Sequence, residues 1–312
     1  MRRYAILGSG FGLYGYLPAA AGLTVLPVVT LDRYRPVFER RGDIAAYLHR
    51  VEFVEDVDAC AAAADTLIVA QRPADQEALI PRLLARPSAL RSLVLEKPLA
   101  PAPGHASILL QRLYGSQLSL RIGFTFAQTP WAARIAELLA RGVVLDLDLQ
   151  WRFRAHHFQH QLHNWKRDTA CGGGALRYFG IQFFGLLASL GSWSADACER
   201  RENPIGEDAA VTAWFKSDDG HGAKVSCDSD FPGDARFTID VRERSSGTLL
   251  LNMDLTDPFA ESPDGEDRRI GLLRGILSSL DLDDSSYWRA YRQSIELWRQ
   301  CEALSGRMEG PA

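Results

Sequence analysis

The stretch YAILGSGFG, residues 4–12, constrains the fold more than any other part of the chain. A short apolar run bounded by glycine reads as a buried strand, and the Ala-rich LPAAAGL that follows reads as a helix. Between them, Gly8 and Gly10 let the backbone turn tightly and let its amides approach an outside group. The helix N-terminus then faces that group, which favours negative charge there. The same rhythm repeats. Strand-like runs at 23–32, 51–54, 65–70 and 90–98 alternate with helical stretches at 34–50, 57–64 and 73–87. Alternation of this kind indicates a parallel sheet with helices on both faces.

Asp32 ends the second strand, 20 residues past Gly12. A strand, a glycine turn, a helix and a later acid form a dinucleotide-binding fingerprint, in which the acid bonds the adenosine ribose hydroxyls. Gly8, Gly10, Phe11, Gly12 and Asp32 are therefore the candidate cofactor residues. Arg33 and Arg35 offer a site for a 2′-phosphate, so NADP is possible, while the acid favours NAD.

The rhythm changes near residue 120. A strand at 118–126 and a helix at 130–142 lead into an alternating strand at 143–153. A histidine-rich loop follows, then a helix from about 174 to 190. Strand-like runs come next at 209–216, 222–230, 236–243 and 247–255; 262–267 reads as a loop and 285–304 as a closing amphipathic helix. The fold class expected is α/β. A Rossmann domain over 1–121 precedes an α+β domain over 122–312 with an open, mainly antiparallel sheet. At 312 residues, two cores are the prior.

Composition excludes several classes. A net charge of −4 gives no electrostatic footprint for nucleic acid or an anionic membrane, and no apolar run has transmembrane length. The basic-then-apolar N-terminus is too short in its apolar part for a leader and runs straight into the glycine turn. Five scattered cysteines without CxxC spacing read as reduced thiols of a cytoplasmic protein.

GSGFG followed by LPAA, then DTLIVAQRPADQ, EKPLA, GFTF, NWKRD and GGGALRYFG resembles the Gfo/Idh/MocA family, the glucose–fructose oxidoreductase and inositol dehydrogenase relatives. The resemblance covers essentially the whole chain, and EKP together with GGG at this separation is its specific part. It implies an NAD(P)-dependent oxidoreductase acting on a small hydroxylated molecule such as a sugar or polyol. It also implies a homodimer or higher homo-oligomer built through the C-terminal sheet. Carried over by position, Glu96 and Lys97 end a Rossmann strand, with the lysine near the nicotinamide and the substrate hydroxyl. Arg72 and Pro73 match the loop under the cofactor.

One departure stands out. The family has an acid where this chain has Tyr178, and a histidine where it has Gln182. Glutamine is no general base near neutrality, although it orients partners by hydrogen bonds. Tyrosine beside a cationic lysine can relay a proton. The triple glycine ahead of them reads as backbone that lets something approach closely. Four of the seven histidines, His156, His157, His160 and His163, precede it. No metal is expected, because acids are lacking nearby. His163 is the choice for a substitute acid or base, with Trp165 to stack on a sugar face and Arg167 to hold a carboxylate or phosphate. Two other readings remain: a dinucleotide-binding sensor or accessory protein without catalysis, and a non-redox enzyme that uses a tightly held NAD for transient oxidation.

Overall fold

The computed structural model describes residues 1–86, 89–259 and 267–307. The first sheet has six parallel strands in the order β3-β2-β1-β4-β5-β6. They are β1 (Tyr4–Leu7), β2 (Val28–Leu31), β3 (Val51–Val54), β4 (Thr66–Val69), β5 (Ser92–Leu95) and β6 (Ser119–Ile122). Four of them, β1, β2, β4 and β5, are buried at every position, as expected of parallel strands covered on both faces. This is the doubly wound order, with its switch point between β1 and β4.

The second sheet has seven strands, ordered β12-β11-β7-β10-β9-β8-β13. They are β7 (Leu145–Arg152), β8 (Trp193–Glu202), β9 (Asp208–Ser217), β10 (Gly222–Asp228), β11 (Arg236–Glu243), β12 (Leu249–Leu255) and β13 (Ser305–Arg307). Most pairs are antiparallel, but β7 pairs β10 and β8 pairs β13 in parallel. Leu145, Leu147 and Leu149 of β7 point into the core with Phe126, Trp131, Phe183 and Phe237. The alternate residues Asp148 and Gln150 stay half-exposed, the period-2 signature of a sheet covered on one face.

Contacts divide the chain into two compact units, and neither is continuous in sequence. Where the sequence reading cuts once, between 121 and 122, the first unit extends to Thr125 and also takes in 267–288. The second unit takes in 101–104, residues from Phe126 onward and 289–307. A buried cation holds part of the late segment. Arg121 is 1% exposed, and its guanidinium donates to Ser279 Oγ at 2.8 Å and pairs with Asp284. The ring of Tyr287 lies 3.6 Å from the guanidinium carbon. The late helix Arg269–Ser278 itself packs against Gly12–Tyr16 and Leu17–Ala21, so it too belongs to the first unit. That helix, Pro103–Tyr114 and β8 are elements that the sequence reading passed over. Of the expected loop at 262–267, residues 262–266 lie outside the described residues. No described helix is long and apolar enough to cross a membrane.

Candidate functional site

In the first unit, the glycines of the opening turn have three different surroundings. Gly8 has φ +143°, and a Cβ there would lie 2.2 Å from the carbonyl oxygen of Ala70. Gly12 packs the helix onto β1, where a Cβ would lie 3.0 Å from Ile6 Cγ2. Gly10 is exposed, and a Cβ there would meet nothing within 4 Å. One glycine makes the turn, one seats the helix and one leaves open space, which is the division of labour that close approach of a pyrophosphate requires. The helix starts as a wide π-type turn, Gly12–Tyr16, and tightens into Leu17–Ala21. Phe11 covers Gly15 and carries the Arg269 guanidinium 4.6 Å above its ring.

Asp32 follows β2 and is exposed. Its Oδ1 accepts from Arg35 Nε at 3.1 Å and Nη2 at 3.0 Å, so both bonds use one carboxylate oxygen. Arg33 lies over the Tyr34 ring at 5.5 Å. Arg72 is exposed just ahead of Pro73, which opens the helix Pro73–Leu84. Inside that helix, the fully buried Gln76 donates to the carbonyls of Glu96 and Leu99, both at 3.0 Å, and so fixes the Glu96–Lys97–Pro98 turn. Glu96 turns inward and accepts from Tyr16 at 2.7 Å. Gly123 makes room for the pair, since a Cβ there would sit 2.4 Å from Glu96 Oε1. Burial raises the Glu96 pKa, and Lys97, Tyr16 and Arg269 pull it back. Glu96 thus braces the turn from inside, while Lys97 is its half-buried neighbour.

In the second unit, the triple glycine is explained by the chain itself. A Cβ on Gly173 would lie 2.4 Å from the Trp165 carbonyl oxygen, and one on Gly174, at φ +85°, 2.5 Å from Asp208 Oδ2. The close approach is made by the Trp165–Lys166 backbone and by Asp208. Asp208 then accepts from the Leu176 amide at 3.2 Å, capping the helix from β9, and from Arg200 at 3.1 Å. That helix also opens with a π-type turn, Ala175–Gly180, before Ile181–Leu190. Tyr178 is half-buried, edge-on to Trp165 at 5.2 Å, with Lys166 Nζ 5.2 Å from its ring centre. Gln182 is 5% exposed, and its Oε1 lies 3.5 Å from the Phe126 amide.

The loop residues sort differently from the sequence expectation. Glu207 engages Arg167 through Nε at 2.8 Å and Nη2 at 2.7 Å, so this arginine fixes the loop. His163 is exposed. The buried histidine is His157, 4% exposed, stacked 6.2 Å from Phe179. Its Nε2 has no hydrogen-bond partner among the described residues. Burial lowers its pKa to about 4, with Lys166 and Arg167 pushing the same way and Glu207 opposing. Position relative to NWKRD, which points to His163, says nothing about burial. No group of three or more metal-ligating side chains occurs among the described residues.

No family model and no curated protein matches the sequence. Solved structures do match in fold. GenD2 from gentamicin A biosynthesis, solved with NAD, is 18% identical with a TM-score of 0.70, covering 97% of this chain and 95% of its own. The WlbA dehydrogenase from Thermus thermophilus, solved with NAD and UDP-GlcNAcA, is 17% identical with a TM-score of 0.70, covering 100% and 97%. KijD10, a 3-ketoreductase from Actinomadura kijaniata solved with NADP and TDP-benzene, is 18% identical with a TM-score of 0.66, covering 99% of each chain. That reductase has also been solved with a lysine replaced and with a tyrosine replaced by phenylalanine. At such identities the likeness shows a shared fold, full-length in both chains.

Proposed function

We propose that the protein is an NAD(P)-dependent oxidoreductase of the Gfo/Idh/MocA type acting on a sugar, polyol or related hydroxylated molecule. The carrying observation is the opening turn, where Gly10 alone among its three glycines leaves space for a ligand. A bound nicotinamide would supply hydride exchange with a carbinol carbon. The chain's residues do the rest. Gly8 to Gly12 bind the pyrophosphate, Asp32 Oδ2 the ribose, with NADP admitted by Arg33, and Arg72 with Pro73 flank the cofactor. Lys97 and Tyr178 handle the proton at the substrate oxygen. Tyr178 is favoured over His163 because it is half-buried, whereas His163 is exposed. Trp165 and Gln182 orient the substrate. Nucleotide-linked sugars lead the substrate classes, because WlbA was solved with one. The half-exposed Gln150, Trp214 and Lys224 on the open sheet face suit a second copy of the chain.

The test is release of nicotinamide on denaturation, with NADH and NADPH titrations and a sugar-nucleotide screen. Exchangeable cofactor with turnover supports the proposal. Tight cofactor without net reduction favours the non-redox reading, and binding without turnover favours the sensor. In the active enzyme, Lys97→Met and Tyr178→Phe should each lower kcat about 100-fold or more with NADH affinity retained. Unchanged kcat in both refutes the proton assignment.

A further inference from the structure

We infer that the amino end of the parallel sheet carries a second ligand site, which takes a small organic carboxylate. A cavity of about 520 Å³ opens there, within the range of small-molecule pockets. Its lining includes the first residues of β1, β5 and β6, namely Tyr4, Ser92 and Ser119, with Asp65 and Arg91 just ahead of β4 and β5. The glycine turn, Asp32 and the Glu96–Lys97 turn all lie at the opposite, carboxyl ends of these strands. The cavity is thus separate from the proposed cofactor site.

Hydrogen bonding within the cavity identifies the ligand chemistry. The acids already have donors. Asp65 accepts from the Arg3 amide at 3.1 Å and from Thr66 at 2.9 Å, and Asp281 pairs with Arg2 at 2.6 Å. Arg2 also donates to Ser92 at 2.9 Å. Two donors remain. Tyr4 is only 3% exposed, yet its hydroxyl has no hydrogen-bond partner among the described residues. Burial raises its pKa, so the phenol stays a donor. The Arg91 guanidinium is exposed and has no partner among the described residues. A guanidinium and a phenol together suit a carboxylate. Asp65 and Asp281 repel a phosphate dianion more strongly than a monoanion, and Leu23 and Leu277 offer apolar wall to a hydrocarbon body.

The test uses benzoate as probe on the full chain, followed by ligand-observed NMR. Wild type should bind it in the millimolar range. Arg91→Ala should weaken binding about tenfold or more, and Tyr4→Phe about threefold. Arg91 is exposed and unpaired, so Arg91→Ala should keep the wild-type melting temperature. NADH should not displace the probe, a readout that stands whether or not the protein is an oxidoreductase. Absent millimolar binding, binding unchanged in both variants, displacement by NADH, or inorganic phosphate bound more tightly than benzoate each overturns the inference.

Discussion

Alanine at Gly8 and alanine at Gly10 should do opposite things to this protein. At Gly8 the backbone has φ +143° and the new Cβ would lie 2.2 Å from the Ala70 carbonyl oxygen. That oxygen cannot swing away as a side chain would, because the Ala70 amide is bonded to the Leu7 carbonyl at 2.8 Å, holding the segment against β1. Backbone strain of this kind costs on the order of 1–3 kcal/mol before the clash is counted. A loss of about 3 kcal/mol lowers the melting temperature of a domain of this size by roughly 6–12 °C. At Gly10 the Cβ meets nothing within 4 Å and φ is not left-handed, so the melting temperature should stay within about 2 °C of wild type. The added methyl instead stands where the pyrophosphate must approach, and NADH affinity should fall at least about tenfold, or ~1.4 kcal/mol. Thermal unfolding and NADH fluorescence titration read both effects on the same samples. An unshifted melting temperature in Gly8→Ala would refute the close-approach argument. Full NADH affinity in Gly10→Ala would remove the turn as the pyrophosphate site.

Other outcomes follow from buried groups. The depressed His157 pKa means the unfolded chain, with a value near ~6.5, takes up its proton first as pH falls. Its contribution to stability is complete above that value and is lost as pH falls toward about 4. His157→Phe should flatten the stability–pH slope in this window by ~1.4 kcal/mol per pH unit, and an identical slope in wild type and variant would refute it. Arg121→Leu leaves Asp284 and the Ser279 carbonyl without their donor. It should cost about 3 kcal/mol in denaturant titration, near the low end for a broken buried pair because Asp284 is 25% exposed. Arg121→Lys should recover little, since one ammonium cannot replace donors from three guanidinium nitrogens.

Local features were readable in the sequence, and long-range ones were not. The glycine turn, the Asp32 position and the βα alternation each depend on a few neighbouring residues, and the structure forms all three. Helix Pro103–Tyr114 does carry a signal, since Ala106, Leu109, Leu110 and Leu113 are buried at helical spacing. By contrast β8, WSADACERRE, has few apolar residues and no clean alternation, so little in it announces a strand. The triple glycine was rightly read as demanding close approach. That the approaching groups are Trp165, Lys166 and Asp208 is a tertiary fact. For the same reason nothing in AHHFQHQLH distinguishes the buried His157 from the exposed His163. The parallel pairing of β7 with β10 depends on the long connection between them, through the helix and two further strands.

The return of residues 267–288 to the first unit sets an order of assembly during synthesis. A ribosome making this chain has finished all six parallel strands by Ile122, yet Arg121 waits for Ser279 and Asp284. At about 5–20 residues per second the delay is roughly 8–30 s, during which nearly all of the second unit emerges. The part that starts first is therefore completed late. A fragment ending at residue 125 would keep the glycine turn but hold a buried guanidinium without its acid. Excising the parallel-sheet unit for separate study requires joining the late segment back to it.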